Sequence, residues 1–370
     1  MTAIDAAGMA ALTGGVVERA VFRHAELLLG EHGVLVVVDS GDGPDRSGVW
    51  SDREVRLLGE VPVTPRLRGI LDTDPWRLPR VEPPLLHVAV RLDDGHLYLG
   101  TATMARWTTP GGPRGGGTPS ESLADPCLRL DEPLERALLE RVRPVGVADP
   151  SGPFWLDRVG TDPVRALEEF AADRYPAEAG PGPEVPSDLP EPLRRFHRLA
   201  ATRPELLGGQ NFLRPAGGPA QEDEEDAGYV IGRENQGVFH WTLRREEDGF
   251  GEDPTVWFQR DGEEPVPEEE PLSGFLLQFA LYEAAVRAEY VALTFSTPVE
   301  QTEAVTRVLR PVPLRPFLAS WMPTRLYAAP GLVVSVSVSD DRYDVWAGAS
   351  HRGALAPLRD LPVDWERFDG

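Results

Sequence analysis

The apolar positions change period several times along the chain. Val17, Val21, Ala25, Leu28 and Leu29 recur at helical spacing within residues 16–32, with Gly33 as a suitable stop, so a helix is expected there. Residues 34–38 are short and β-branched, which reads as a buried strand. Further strands are expected at 53–58 and 85–91. Asp93-Asp94-Gly95 is a hairpin signal leading into 96–102, where Leu97, Leu99 and Thr101 alternate with His96, Tyr98 and Gly100. A helix is expected over 134–142 with Asp131 as its N-cap.

In the second half, 192–201 reads as a helix with Leu193, Phe196 and Leu199 or Ala200 on one face. Strands follow at 228–232, 238–243 and 255–259. Gly237 lies in the first connection, where positive φ has no steric cost. Residues 272–288 form the strongest helical pattern, with Phe275, Leu276, Phe279, Tyr282 and Val286 in one apolar stripe. Strands at 326–329, 332–338 and 343–348 close the chain, with Asp340-Asp341 as a turn.

Two stretches punctuate this order. Residues 108–119 are rich in glycine and proline and read as a loop. Residues 175–192 carry Pro176, Pro181, Pro183, Pro186, Pro190 and Pro192, which prevents a regular helix or central strand. The expected organisation is a mixed α/β domain over 1–175, a proline-rich linker over 176–187 and a binding domain over 188–370. Helices and strands segregate in the second half, so the fold class expected is α+β, with a mostly antiparallel sheet.

Composition narrows the chemistry. The chain has 370 residues with 60 acidic and 37 basic side chains, a net charge of −23. Every basic residue is arginine, so lysine-dependent chemistry is excluded: no P-loop lysine, no Schiff base, no kinase strand lysine. So acidic a surface repels a phosphate backbone, so no nucleic-acid partner is expected; it suits a basic partner or simply solubility, the commoner reason for such a charge. Cys127 is the only cysteine, which leaves no intrachain disulfide and no cysteine zinc site. Neither a signal peptide nor a run of about 20 apolar residues is visible, so a cytoplasmic protein without a membrane partner is expected.

No nucleophile elbow, zinc-protease motif or dinucleotide fingerprint is present, and the seven histidines are scattered. The expectation is a protein that is not an enzyme, with no catalytic or metal-binding residues and no cofactor. The acidic runs stand out instead. Residues 221–270 hold 17 acidic residues against four arginines. The densest runs are Glu222, Asp223, Glu224, Glu225 and Asp226; Glu246, Glu247 and Asp248; and Glu268, Glu269 and Glu270. They read either as solvated loops or as a rim that steers a cationic protein partner.

The run Gly228-Tyr229-Val230-Ile231-Gly232-Arg233-Glu234-Asn235-Gln236-Gly237-Val238-Phe239-His240-Trp241 resembles the signature of the SUKH superfamily, the cell-wall-assembly-regulator-like immunity proteins. Asp253-Pro254-Thr255-Val256-Trp257 is similar to the family's next strand, and Leu272-Ser273-Gly274-Phe275-Leu276-Leu277 to its helix. Leu189-Pro190-Glu191-Pro192-Leu193 fits the opening helix, so the resemblance spans 188–361. It implies a non-enzymatic α+β domain. It also implies that Glu234, Asn235, Gln236 and Gly237 shape a turn, and that Trp241, Trp257 and Phe275 are structural. Many bacterial members are similar to immunity proteins that bind and neutralise toxin domains, often nucleases; others are adaptors in larger assemblies. The expected function is therefore neutralisation of a cognate toxin domain, such as a basic nuclease, through an acidic face. The alternatives are an adaptor role and an activity within the unrecognised residues 1–175.

Overall fold

The computed structural model describes residues 3–39, 47–62, 85–108, 122–143, 155–177, 184–216, 228–247, 249–260 and 262–370. It is an α+β protein in two compact units, Met1–Gly146 and Val147–Phe368. Among the described residues, no helix is long and apolar enough to cross a membrane.

The first unit contains β1 (Ala3–Ile4), α1 (Ala6–Thr13), β2 (Val16–Phe22), β3 (Ala25–Gly30), β4 (Gly33–Asp39), β5 (Gly48–Val49), β6 (Glu54–Arg56) and β7 (Glu60–Pro62). It continues with β8 (Leu85–Leu92), β9 (Gly95–Thr108), β10 (Ser122–Leu130) and α2 (Arg136–Val142). The main sheet path runs β2-β3-β4-β8-β9-β10-β6-β5. Helix α1 covers one face, where Met9 and Leu12 meet Leu28, Leu35, Val37 and Ala89. The other face packs Leu27, Leu29, Val36 and Val88 with Leu139 and Val142 of α2.

This arrangement corrects the helix expected over 16–32. The segment is a hairpin, β2 paired with β3 from Phe22↔Ala25 back to Val16↔Gly30. Strand β3 is buried on both faces, so Leu27-Leu28-Leu29 shows no alternation and mimics helical spacing. The β-branched Val16, Val17 and Val21 favour the strand. Asp131 is not the N-cap of α2. Glu135 takes that position, and the Asp131 carboxylate accepts from the Thr101 hydroxyl.

The second unit contains α3 (Pro163–Arg174), α4 (Glu191–Ala200), β11 (Asn211–Leu213), β12 (Gly228–Glu234), β13 (Phe239–Arg244), β14 (Thr255–Arg260), β15 (Val266–Pro271) and α5 (Leu272–Val286). Then follow β16 (Tyr290–Thr297), α6 (Val299–Arg307), β17 (Arg310–Pro311), β18 (Thr324–Ala329), β19 (Leu332–Ser339), β20 (Arg342–Ala349) and β21 (Arg367–Phe368). A five-stranded meander has the order β11-β12-β13-β14-β15, and a six-stranded sheet the order β17-β18-β19-β20-β16-β21. Every pair in both is antiparallel.

Helix α5 is central, with neighbours in both sheets and in α3 and α4. Thirteen of its 15 residues are buried, so it is apolar around most of its circumference and the expected one-sided stripe is wrong. Strand β20 comes so close that a Cβ on Gly348 would lie 2.4 Å from the Ala284 carbonyl oxygen and 2.5 Å from that of Ala285. The unit boundary also differs from the one expected at 176–187. Phe170 of α3 belongs to the α5 core, and Arg174 donates from Nη2 to the Ala284 carbonyl at 3.0 Å. The proline-rich stretch thus joins two helices of one core, with residues 178–183 outside the described residues.

Candidate partner-binding surface

The β12–β13 turn is built from the Glu-Asn-Gln-Gly run. Glu234 is buried, and its Oε2 accepts the backbone N–H of Gln236 at 2.7 Å and of Val238 at 3.4 Å. Gly237 has φ +76°, the left-handed backbone that glycine takes without strain. Asn235 donates from its backbone to the Gln210 carbonyl at 3.1 Å and from Nδ2 to Gln210 Oε1 at 3.3 Å, tying the turn to the chain before β11. Gln236 supports the turn through its backbone and leaves its side chain exposed.

Beyond the turn, alternation sends Phe239 and Trp241 inward with Phe258 of β14. Trp241 is fully buried, 5.4 Å from the Phe275 ring and stacked on Phe317 at 5.9 Å. Trp257 faces the other way, with the Arg244 guanidinium 3.6 Å above its ring.

The last acidic run does not lie in a loop. Glu268, Glu269 and Glu270 are in β15, the outer strand of the meander, and only Glu269 is exposed. Glu268 accepts the Trp241 indole N–H at 2.9 Å and also the Leu318 N–H. Burial raises its carboxyl to about 7, against the pull of those two bonds and with help from Glu269. Glu270 Oε1 accepts the Arg315 backbone N–H at 2.8 Å, and Arg315 Nη1 donates to the Glu269 carbonyl at 3.0 Å. The run therefore serves as the mount for the segment 314–322.

That segment presents a half-exposed tryptophan. Phe317 and Thr324 exchange two backbone hydrogen bonds of 2.9 Å, closing a loop between them. Inside it, Trp321 and Met322 donate to the Leu318 carbonyl, and Leu318 has φ +53°. Trp321 is 42% exposed, yet its ring rests 4.9 Å from Phe239 and stacks on Phe258 at 6.4 Å. Val238, also 42% exposed, adjoins Phe239 in the chain. Gln236, Gly237, Val238 and Arg260 line a recess of about 360 Å³. Arg260 is in register with Phe239 and pairs with Glu263 at 3.0 Å, and Glu264 beside it is exposed.

Among the described residues, the acidic runs take different settings, with Glu268 and Glu270 engaged in β15. Exposed Glu246 and Glu247 follow β13, at the end of the sheet opposite Val238 and Trp321. Glu222, Asp223, Glu224, Glu225, Asp226 and Asp248 lie outside the described residues. Trp321 and Arg260 were missed in the sequence, although Pro316 and Pro323 framing a tryptophan are a readable loop signal. Among the described residues, no group of three or more His, Cys, Asp or Glu side chains could hold a metal ion. Comparison of the chain with protein-family models, with curated proteins and with solved structures returns no match.

Proposed function

We propose that this is a non-catalytic, SUKH-like protein-binding protein. It acts in the cytoplasm, where its second unit captures and neutralises a basic toxin domain such as a nuclease. The observation that carries the reading is the patch around Trp321. A half-exposed indole held on two buried rings is the kind of anchor that dominates interface hot spots, where tryptophan is enriched. Glu263 and Glu264 supply the polar, anionic rim that a basic partner requires. The net charge of −23 favours the same class of partner at longer range.

The test titrates the full chain against basic toxin domains encoded beside its gene, by calorimetry and by the toxin's own activity. Tight binding with loss of toxin activity is expected, with Trp321→Ala weakening it by about 2 kcal/mol or more. Failure of every such domain to bind would remove the immunity reading, and binding indifferent to Trp321→Ala would remove this surface from it.

A further inference from the structure

Strand β2 is an outer strand of the first unit's main sheet, paired on one side with β3. The ladder shows which of its backbone groups point the other way. The His24 carbonyl accepts the Asp39 N–H at 3.1 Å, so by alternation Glu26 and Leu28 also turn their backbone groups towards β4. Ala25, Leu27 and Leu29 turn instead towards β2, where they meet Phe22, Ala20 and Glu18. Arg19 and Val21, lying between these, direct their N–H and C=O outward. Among the described residues, no strand pairs with that edge. It is apolar as well: Val17 is 57% and Val21 69% exposed. Such an edge is a template for a further strand unless charge or proline blocks it. Its one cation is engaged within the chain, since Arg19 pairs with Glu26, Glu26 also holds Arg91, and Arg91 pairs with Asp39.

We propose that β2 is a self-association edge, pairing antiparallel with β2 of a second copy about a two-fold axis at Arg19. The strand itself selects this occupant. Centred on Arg19, the axis sets Val21 opposite the second copy's Val17, Glu18 opposite its Ala20 and Arg19 opposite its Arg19. The outward-directed Arg19 and Val21 then both enter the ladder, and each exposed Val21 covers an exposed Val17. Each arginine at the axis is already balanced by the Glu26 of its own chain. Moving the centre to Glu18 would oppose two glutamates and set Val17 against arginine, and moving it to Ala20 would set Val21 against arginine. Seven residues extend about 24 Å, and an edge contact of that length belongs to the small, transient class of interfaces. Copies that each carry a charge of −23 repel at long range, so salt should strengthen this pairing. Association with a basic partner would respond in the opposite sense.

The experiment is disulfide trapping on the full chain, with sedimentation equilibrium beside it. Cys127 is the only native cysteine and is buried, so a cysteine placed on β2 reports the contacts of that strand. Opposed hydrogen-bonded residues lie about 5.5 Å apart between Cα atoms, within disulfide range. Arg19→Cys should therefore cross-link to itself under glutathione disulfide. Val21→Cys should not, because its two copies are offset by about 14 Å along the strands. A mixture of Val17→Cys and Val21→Cys should cross-link, and it decides the register if Arg19→Cys does not fold. The native chain should show a monomer–dimer equilibrium below about 500 µM, and Val21→Lys, at an exposed position, should weaken it at least tenfold. A chain that stays monomeric throughout, a dimer unmoved by Val21→Lys, or Val21→Cys cross-linking to itself as readily as Arg19→Cys would each overturn the proposal. The first of these results would leave the edge to an extended segment of a different protein.

Discussion

Glu283 holds Asn211 by two hydrogen bonds to a single oxygen: Oε1 accepts the Asn211 backbone N–H at 2.8 Å and its Nδ2 at 3.0 Å. The other oxygen accepts the N–H groups of Gly209 at 2.8 Å and Gln210 at 2.9 Å. One side chain of the central helix thus satisfies three consecutive backbone donors of the segment that also receives Asn235. Burial raises the Glu283 carboxyl, and these bonds pull it back. Glu283→Gln places an amide NH₂ where an acceptor is needed. It should cost about 2–4 kcal/mol in urea unfolding, given about 1–3 kcal/mol per stranded buried donor. A loss below about 1 kcal/mol would show that the segment finds other partners.

Trp241 and Phe275 pack edge to face at the centre of the same core, both fully buried. Truncating either to alanine should cost about 3–5 kcal/mol, the range for large buried aromatics. Because the rings touch, the double variant should lose less than the sum of the two. Additive losses would mean that the two sites relax independently.

In the second unit β12, β13, β14, β18, β19 and β20 are legible in the sequence because their turns carry glycine or paired aspartates, whereas α3, β11, β15, β16 and α6 are not. Trp241 and Phe275 could be placed in the core from their positions alone. The acidic triplet of β15 could not. Charge density suggests solvent, and nothing local reveals that an indole N–H waits for Glu268. The hairpin of β2 and β3 failed for a different reason. Its turn lacks the glycine that marks such connections: Arg23 occupies it with φ +45°.

That turn yields a stability prediction. A left-handed arginine costs roughly 1 kcal/mol relative to glycine, offset in part by the unfolded-state freedom glycine adds. Arg23→Gly should therefore raise stability by about 0.5 kcal/mol, measured as a shift in the midpoint of the first unit's unfolding. A loss of stability would mean that the Arg23 side chain contributes more than its backbone costs.

Glu268 and His197 should shape the pH profile of the second unit in opposite directions. Glu268 is raised from 4.5 to about 7, so its contribution is full below pH 4.5 and is lost as pH rises through 7. His197, buried and lowered from 6.5 to about 4 by burial and by Arg214, contributes fully above pH 6.5 and loses it as pH falls towards 4. Between pH 4.5 and 6.5 the two slopes cancel. Glu268→Gln should leave a stability that rises with pH across that window by about 2–3 kcal/mol, and His197→Asn one that falls by a similar amount. Denaturant titrations at several pH values provide the check, and parallel profiles in the two variants would refute the assignment.

Charge at the two ends of the meander allows a test of steering that packing does not confound. Glu263 and Glu264 lie at the Trp321 end, and Glu246 and Glu247 at the other. Strand β13 between them has six residues, or about 20 Å. That is about two Debye lengths at 0.1 M salt, where the screening length is about 10 Å. If the partner docks on Trp321, amides at 263 and 264 should lower the association rate several-fold at 0.1 M and change dissociation little. Amides at 246 and 247 should have a smaller effect. At 1 M salt, where the screening length is about 3 Å, all variants should converge on one slow rate. Stopped-flow association across this salt series measures each step. Equal effects from both ends would point to net charge alone as the attraction, and a larger effect from 246 and 247 would move the docking face away from Trp321.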